Sequence, residues 1–518
     1  MKQLNLNVPI LLTLISTWFG FSNPVYHLPL TVLVFPAALV WISLNSLSAS
    51  QTWKSSWLAA GIAYAACLYW IYVPVHYYGG LPWWISLACP ILTGLYLGLY
   101  PSIFSLAIYW SKDLFNWFWM GLFAGFTWAC LEFLRGTLFS GLPWLNLAQA
   151  FSIWPWSIQV LELIGSTGTA GAIATLGAWI VLGMYKDKKA YLGAIVLALI
   201  VTSYGIVQFD TAISGQSQLN VSLIQANISQ DKKWDPKFQK QTVQKYLGLS
   251  KKEIEENNPE LLIWPETAMP FYIQQSGPLR AKILDFAKKN NVSLLTGAPG
   301  FEGTKQKYKL FNRAYLINKQ GKIIQHYGKE HLVPFGEYVP AQKYIPFLDT
   351  LVVGSKGFSS GLQISPLQLN DLDLGTLICY EIIFSGLVQK RVAQGANLLV
   401  NISNDAWFGY TAAPEQHLNQ AVLRAIEQNR YVLRGTNTGF SAFIDPQGKI
   451  LKKSSLLSKE TLYSQKIFAL QEKTFYHSHY TVLHFVYFLV PIALFLSAKI
   501  LPPRGDSLKF SKSKKLDI

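Results

Sequence analysis

Long apolar runs dominate the first 210 residues of the chain and recur once near its end. A helix that crosses a membrane needs about 20 mostly apolar residues. Candidate runs of roughly this length lie at about 8–25, 28–47, 57–77, 84–110, 115–134, 157–184, 190–208 and 480–500. The pattern predicts a membrane protein with seven spans in its first part and an eighth after residue 475.

Residues 211–475 follow a different pattern, in which short apolar runs alternate with helical stretches. The apolar runs predict strands at 221–224, 261–264, 292–295, 374–378 and 397–401. The other stretches predict helices at about 237–256, 278–290, 384–394 and 415–430. Strands that alternate with helices are typical of a layered α/β sheet.

The charge is distributed in the same three parts. Only 14% of the 518 residues are charged, against about 25% in soluble domains. Residues 1–210 hold 7 Lys/Arg and 5 Asp/Glu, residues 211–475 hold 31 and 21, and residues 476–518 hold 6 and 2. We therefore predict a membrane domain at 1–210, a globular domain at 211–475, and a final span with a basic tail at 476–518.

The basic residues outside the globular domain predict the orientation of the spans, because cytoplasmic loops are enriched in Lys and Arg. With eight crossings, one side of the membrane receives Lys2, Lys54, Lys112, Lys186, Lys188, Lys189, Arg504, Lys509, Lys512, Lys514 and Lys515. Both termini are then cytoplasmic, and residues 211–475 lie outside the cytoplasm. The net charge of +10 on that domain is either ordinary surface charge or an attraction to anionic lipid. Its location argues against a nucleic-acid partner.

The sequence gives no support for a metal or nucleotide cofactor. It contains no G-x-x-x-x-G-K-[ST], H-E-x-x-H or C-x-x-C motif, and its eight histidines show no spacing typical of metal ligands. Three of the four cysteines, at positions 67, 89 and 130, fall in predicted spans, where cysteine is usually a small buried apolar residue.

Polar residues follow several of the predicted strands directly. Glu266 follows Leu-Leu-Ile-Trp-Pro, Cys379 follows Leu-Gly-Thr-Leu-Ile, and Asn404 and Asp405 follow the strand at 397–401. Sites in α/β sheets lie beyond the carboxyl ends of strands. Cys379, the one cysteine of residues 211–475, is either a nucleophile or a buried structural residue. A nucleophilic cysteine needs a base or a positive neighbour.

Three segments around such residues resemble a known family. The segments LLIWPETA with Glu266, YGKEHLVPFGEYVP with Lys329, and LICYEIIF with Cys379 are similar to the three catalytic segments of the nitrilase superfamily, in the same order. The resemblance is closer to its membrane-bound branch, the apolipoprotein N-acyltransferases. Their membrane-domain signature resembles the segment WACLEFLRGTLFSGLPWLNLAQ. Taken alone, a lysine or a glutamate in such a segment would be read as a solvated surface residue.

This resemblance implies a fold and a reaction. The fold is a polytopic α-helical membrane domain plus an extracytoplasmic α/β domain, the αββα sandwich of nitrilases. Cys379 is expected to be the nucleophile, Glu266 the general base and Lys329 the third catalytic residue. The reaction moves a fatty acyl chain from a membrane phospholipid, through a thioester on Cys379, to the α-amine of a diacylglyceryl apolipoprotein. We expect a monomer without a cofactor or metal, in a bacterial inner membrane with its catalytic domain on the periplasmic side.

The same resemblance assigns supporting residues. Glu337 is expected to order the lysine, Tyr380 and Glu381 follow the nucleophile, and Asn312 is a further polar position of the family. Residues expected to bind substrate are Trp234, Trp407, Phe408 and Trp144. Core packing is the alternative for the aromatic residues of the globular domain, and an interfacial anchor is the alternative for Trp144. Leu142 stands where the family would have an aromatic residue.

Two alternatives to the acyltransferase stay open at this point. A membrane-tethered amidase would keep the three residues but would not need so much apolar sequence beside them. A transporter or channel with an outer sensor domain would need polar residues along its spans, which are nearly free of charge. Glu132 and Arg135 are exceptions in the fifth span, where their i, i+3 spacing allows either a local ion pair or a functional role.

Overall fold

The computed structural model describes residues 7–215, 218–304, 307–339, 357–362 and 365–500. These residues form two compact units. The described part of the first unit consists of residues 7–72, 84–210 and 478–500. The second unit consists of the described residues between 211 and 477 together with the segment Val73–Trp83.

Apolar helices build the first unit. They are α1 (Asn7–Gly20), α2 (Val34–Asn45), α3 (Ala49–Cys67), α4 (Trp83–Ser111), α5 (Trp117–Thr137), α6 (Leu161–Tyr185), α7 (Lys189–Phe209) and the C-terminal helix Tyr480–Ile500. Within the described residues, five helices are long and apolar enough to cross a membrane, namely α4, α5, α6, α7 and the C-terminal helix. The predicted helical membrane domain is therefore confirmed, but the predicted number of spans is not.

The first three predicted spans are the ones that differ. Helices α1 and α2 have 14 and 12 residues, so they extend about 20 Å, whereas the hydrocarbon core is about 30 Å thick. The third predicted span breaks after Cys67 and counts as a sixth span only if α3 is joined to the turns Tyr69–Tyr78. Proline contributes to the interruptions. Pro29 begins a 3-10 turn and Pro74 begins a π-helical turn, and neither has an N–H to extend a preceding helix.

Small residues allow the helices of this unit to approach closely, as is common in membranes. A Cβ atom added to Gly94 of α4 would lie 2.5 Å from the backbone N of Ala65 and from the carbonyl of Gly61. Both of these atoms belong to α3. Any side chain at position 94 would therefore force α3 and α4 apart.

A buried ion pair lies inside the first unit. Arg135 donates to Glu132 Oε2 over 2.6 Å and to the carbonyl of Trp144 over 2.5 Å. Asn146 Nδ2 donates to the same Glu132 oxygen over 2.9 Å. All four residues are buried. The structure thus confirms the local pair that the spacing of Glu132 and Arg135 predicted, and it connects this pair to the segment that contains Trp144.

Replacing Arg135 with methionine is expected to destabilise the protein by about 3–5 kcal/mol, because a buried carboxylate would lose its partner. The double variant Glu132→Gln/Arg135→Met should recover most of that loss. Thermal unfolding in detergent at pH 7.5 measures both. Equal unfolding midpoints for the single variant and the unmodified protein would show that the pair contributes nothing.

Two six-stranded sheets form the second unit. The first sheet has the order β12-β1-β2-β3-β4-β5 and the second has the order β11-β10-β9-β8-β7-β6. The strands are β1 (Gln218–Gln225), β2 (Leu261–Ile263), β3 (Ser293–Thr304), β4 (Lys307–Ile317), β5 (Ile323–Gly328), β6 (Leu367–Leu369), β7 (Leu372–Ile378), β8 (Leu398–Ser403), β9 (Val432–Thr436), β10 (Ala442–Ile444), β11 (Ile450–Lys453) and β12 (Glu460–Phe468). The helices are α8 (Gln230–Lys233), α9 (Pro236–Asn257), α10 (Pro278–Lys289), α11 (Ser385–Ala393), α12 (Ala413–Gln428) and α13 (Phe475–Ser478).

The sheets pack face to face around one apolar core. Its members come from both sheets and include Val221, Ile263, Leu295, Ile378, Val400 and Leu433. Helices α9 and α10 cover the outer face of the first sheet through a second apolar cluster, and α11 and α12 pack on the second sheet. This four-layer arrangement confirms the predicted αββα class. The five predicted strands correspond to β1, β2, β3, β7 and β8, and the four predicted helices to α9–α12.

Strand direction brings the candidate residues to the ends of the sheets. Strands β1, β2 and β3 are parallel, and β5 runs in the same direction because β4 is antiparallel to both of its neighbours. The carboxyl ends of β2 and β5 therefore lie at one edge of the first sheet. In the second sheet, β7, β8 and β9 are parallel, so the turns after β7 and β8 also share an edge.

Candidate active site

Glu266 lies three residues beyond the end of β2, in a loop that packs closely against β3. Gly297 makes this approach possible, because a Cβ atom there would lie 2.4 Å from the backbone N of Thr267 and 2.7 Å from Glu266 Cα. Glu266 is 7% exposed, and its Oε1 accepts a hydrogen bond from Asn312 Nδ2 over 2.7 Å. The carboxylate is thus fixed in position and nearly removed from water.

Lys329 follows β5 and is 1% exposed. Its Nζ lies 2.8 Å from Glu337 Oε2 and 3.9 Å from Glu266 Oε1. Asn312 connects the same groups, since its Nδ2 also donates to Glu337 Oε1 over 3.1 Å and its carbonyl accepts from the Lys329 N–H over 2.8 Å. The predicted role of Glu337 in ordering the lysine is therefore geometrically possible. Asn312, for which no particular role was predicted, also holds the lysine beside Glu266.

Burial and charge act in opposite directions on these two groups. Burial alone would lower the pKa of Lys329, but the carboxylates of Glu337 and Glu266 outweigh it and raise that pKa, so the lysine stays an ammonium. Burial raises the pKa of Glu266, with partial opposition from Lys329. A carboxylate with a raised pKa is a better proton acceptor than an ordinary surface glutamate.

Cys379 is the first residue after β7 and begins a short 3-10 helix, Cys379–Ile383. Its φ of 54° lies in the left-handed region, which is costly for a residue with a side chain. The residue is half-buried. Burial, followed by the negative charge of Glu266, raises the pKa of the thiol to about 12, although Lys329 acts in the other direction. The sulfur is therefore protonated near neutral pH, and it would need a base in order to act as a nucleophile.

Two side chains hold this strained backbone in place. The Cys379 carbonyl accepts hydrogen bonds from Asn401 Nδ2 over 3.3 Å and from His417 Nε2 over 3.1 Å. His417 is buried in α12. No motif surrounds it, so it could not be selected from the sequence. These contacts keep the sulfur at the end of the strand.

The backbone strain at Cys379 makes a testable prediction with two variants of this residue. Cys379→Gly is expected to be more stable than Cys379→Ala by about 1 kcal/mol, since only the alanine keeps a Cβ atom in the left-handed region. The midpoint of thermal unfolding in detergent measures the difference. A lower midpoint for the glycine variant would contradict the strain.

Glu381 connects the turn of Cys379 to the loop of Lys329. Its Oε1 accepts from the backbone N–H groups of Glu330 and His331 over 2.7 and 3.0 Å, and from the Tyr327 hydroxyl over 2.8 Å. Its Oε2 accepts from the N–H of Ile378 over 2.7 Å. This fully buried carboxylate therefore holds the loop after β5 of the first sheet and the turn after β7 of the second sheet in fixed positions relative to each other.

Tyr380 is more exposed than its neighbour Glu381. It is half-buried, and its ring packs against His331 and Phe384 with centroid distances of 5.9 and 5.0 Å. Its backbone N–H comes directly after Cys379 in the chain.

The aromatic residues expected to bind substrate are divided between the two units. Trp234 and Trp407 are 46% and 39% exposed, and Phe408 is half-buried, so core packing does not explain them. Trp407 packs edge-on against Tyr78 at 5.1 Å, and the Tyr78 hydroxyl donates to the carbonyl of Ala406 over 3.2 Å. Trp144 lies in the first unit and is only 2% exposed, which excludes the interfacial anchor proposed as its alternative.

Lys233 is a residue that sequence reasoning missed. It ends α8, is 2% exposed, and donates from Nζ to the carbonyl of Glu266 over 3.0 Å. The sequence offered a weak signal, since Lys233 directly precedes Trp234 in the segment DKKWD. In the part of the chain that the structure describes, no group of three or more His, Cys, Asp or Glu side chains is arranged to hold a metal ion.

Comparison with known proteins agrees with both units. Residues 220–467 match the carbon-nitrogen hydrolase family, and residues 15–179 match the apolipoprotein N-acyltransferase N-terminal domain. An amidase from Nesterenkonia is a solved structure with 20% identity and a TM-score of 0.35, covering 50% of this chain and 95% of that one.

Curated relatives match along most of the sequence. The apolipoprotein N-acyltransferase of Geobacter metallireducens is 35% identical over 457 residues, which are 84% of this chain and 86% of the relative. That of Haemophilus influenzae is 30% identical over 480 residues, or 88% of each chain. With this identity over both units, the chain belongs to the apolipoprotein N-acyltransferase family.

Proposed function

We propose that this protein transfers a fatty acyl chain from a membrane phospholipid to the α-amine of the N-terminal S-diacylglyceryl cysteine of apolipoproteins. The observation that carries the proposal is the buried cluster of Glu266, Lys329 and Glu337 at the strand ends next to Cys379. It supplies a base, a cation and a nucleophile in a chain of the acyltransferase family. Apolar helices in the same chain suit substrates that are both anchored in lipid.

In the first half-reaction, the Cys379 sulfur attacks the carbonyl carbon of the sn-1 ester while Glu266 accepts the thiol proton. The resulting oxyanion is stabilised by the Lys329 ammonium and by the N–H of Tyr380. Collapse of the tetrahedral intermediate breaks the C–O bond. Glu266 returns the proton to the leaving alkoxide, so that lysophospholipid departs and a thioester remains on Cys379.

In the second half-reaction, the α-amine of the lipoprotein attacks the thioester carbon and Glu266 accepts a proton from the nitrogen. The C–S bond breaks, the sulfur regains the proton, and an amide is released. The sequence is ping-pong and needs no ATP, because the donor ester supplies the acyl group at the required energy. The same three side chains serve both steps.

The proposed location is a bacterial inner membrane, with the α/β unit on the periplasmic side. The distribution of basic residues supports this orientation. Counted across the five long apolar helices, Lys112, Lys186, Lys188, Lys189 and the basic tail fall on one side, and residues 211–475 fall on the other. We propose that the protein acts as a monomer. We also propose that Trp234, Trp407 and Phe408 contact the acyl chains, and that Trp144 binds substrate.

Mass spectrometry of the Cys379 peptide tests the first half-reaction. The full-length protein in detergent is incubated with phospholipid and without an acceptor. We expect a fatty-acyl thioester on Cys379 that is absent from the folded Glu266→Gln variant. Addition of a synthetic diacylglyceryl peptide should then remove the acyl group and yield an N-acylated peptide.

Other outcomes favour the alternatives. Release of free fatty acid in place of the N-acylated peptide would indicate a hydrolase such as a membrane-tethered amidase. An unmodified Cys379 in folded protein would exclude the thioester route and favour a domain without catalytic activity.

A further inference from the structure

Lys233 is a buried cation that the proposed mechanism does not use. Its Nζ makes one hydrogen bond among the described residues, to the carbonyl of Glu266. An ammonium group has three donors, so two of them are available. The charges that act on it belong to Glu266 and Cys379. The lysine therefore contacts the residue of the proposed base and lies within electrostatic range of the proposed nucleophile.

The net charge of the buried site indicates a role for Lys233. Glu266, Glu337 and Lys329 alone leave one uncompensated negative charge in a buried site, and uncompensated buried charge is costly. Lys233 removes that excess. Transfer of the thiol proton from Cys379 to Glu266 then moves negative charge between two groups that both lie near Lys233, without changing the total.

The negative charges of the neighbouring buried acids, Asp405 and Glu381, are compensated by groups other than Lys233. Asp405 is paired with Arg434 at 2.9 Å. Glu381 accepts four hydrogen bonds and lies near the charge of Arg391. The unassigned positive charge therefore belongs to the Glu266 and Cys379 pair.

We infer that Lys233 is a positioning residue of this active site, which fixes the backbone of Glu266 and stabilises the negative charge that passes from Glu266 to Cys379. The inference rests on the proposed function for its catalytic meaning. Its physical content, an electrostatic effect on the Cys379 thiol, is independent of any lipid substrate.

The charge of Lys233 itself depends on pH. Burial lowers its pKa to about 8, although the charges of Glu266 and Cys379 act in the opposite direction. The ammonium is therefore present below about pH 8 and is lost above it. Below that pH it favours the thiolate of Cys379, and above it this help disappears. An arginine at the same position would stay charged throughout.

Alkylation of Cys379 by iodoacetamide tests the inference without phospholipid. The full-length protein in detergent is treated between pH 6 and 10, and mass spectrometry follows the Cys379 peptide. In Lys233→Met we expect alkylation at pH 7.5 to be about tenfold slower, because the loss of a nearby cation raises a thiol pKa by about one unit or more. Lys240→Met removes an exposed lysine of α9 and should behave like the unmodified protein.

Lys233→Arg separates charge from packing and covers the case in which the methionine variant does not fold. Its Cys379 should react at the unmodified rate below pH 8 and faster than the unmodified protein above pH 8. Superimposable alkylation profiles of the arginine variant and the unmodified protein, or of a folded methionine variant and the unmodified protein, would overturn the inference. If phospholipid fails to acylate Cys379 but these shifts occur, the proposed function fails while the electrostatic role stands.

Discussion

Replacing Lys329 with methionine is expected to lower acyl transfer by about 10³-fold and to destabilise the fold by about 3–5 kcal/mol. The catalytic loss follows from removal of the ammonium that stabilises the oxyanion. The structural loss follows because Lys329 is 2.8 Å from Glu337 and 3.9 Å from Glu266 in a site with little access to water. Two buried carboxylates would then face each other without their main cation.

The pH dependence of this variant has a definite sign. Without Lys329, which lowers the pKa of Glu266 in the unmodified protein, the folded-state pKa of Glu266 rises further above its unfolded value. A group with a raised folded pKa contributes stability below its unfolded pKa and loses it as the pH rises through the folded pKa. Lys329→Met should therefore be closest to the unmodified protein in stability at low pH and weakest above neutrality.

Thermal unfolding in detergent at pH 5 and pH 8, together with formation of the acyl-thioester, measures both effects. The matched control is the double variant Lys329→Met/Glu337→Gln, which removes one of the two repelling charges. It should recover stability but not activity. A single variant that keeps its activity would show that Lys329 does not take part in the chemistry.

Replacing Asp405 with asparagine is the second change with a large expected effect, a loss of about 3–5 kcal/mol of stability. Asp405 accepts from Ser403 Oγ over 2.8 Å and from Arg434 over 2.9 Å, and its Oδ1 lies 3.1 Å from His417 Nδ1, which itself accepts from Arg434 over 3.0 Å. Arg434 is fully buried and would lose its counter-ion. His417, which supports the Cys379 carbonyl, would lose its orientation, so acyl transfer should fall as well.

The difference in stability between Asp405→Asn and the unmodified protein should be smaller at acid pH. Burial alone would raise the pKa of Asp405, but Arg434 and the contacts from His417 and Ser403 hold it well below its usual range. Such a group contributes stability above its unfolded pKa of about 4 and loses it as the pH falls through the folded pKa. The difference between the two unfolding midpoints, measured from pH 3 to 8, should therefore grow as the pH rises towards about 4 and stay nearly constant above it.

Asp445 provides a control of the opposite sign. It is buried, and burial raises its pKa to about 6 although the N–H groups of Lys449 and Gln447 donate to it. Asp445→Asn should change stability much less than Asp405→Asn, and it should be most favourable relative to the unmodified protein above pH 6. A profile like that of Asp405→Asn would mean that generic acid effects, and not the Arg434 pair, control the first result.

The sequence predicted the parts of the fold whose pattern is local. The strands that lead to Glu266 and Cys379 are short, fully buried apolar runs between turn residues, and they were found with small errors at their ends. Strands β4, β5, β6 and β9–β12 were not found. Strand β4 carries exposed polar positions, β5 is only partly buried over most of its length, and β6 and β10 have three residues each. The short helices α1 and α2 were predicted too long, since hydropathy does not register the turn before Pro29.

The residues of the candidate site also differ in how far a local sequence pattern marks them. Glu266, Lys329 and Cys379 lie in distinctive segments, so a resemblance could select them, and their convergence depends on the pairing of strands far apart in sequence. Lys233 and His417 lie in ordinary helical sequence. Their importance comes from contacts with the carbonyls of Glu266 and Cys379, and a backbone acceptor leaves no trace in the amino-acid pattern.

The segment Val73–Trp83 has a consequence for biosynthesis. Tyr78 emerges from the ribosome long before its partner Ala406, which follows 328 residues later. Loop-closure entropy grows only with the logarithm of loop length, at about 0.6 kcal/mol per doubling, so the separation costs little at equilibrium. It does fix the order of events, because the turn that carries Trp407 cannot meet Tyr78 until most of the chain has been translated. A chain arrested before residue 406 would hold all the helices from α1 to α7 and yet leave Tyr78 without its aromatic neighbour.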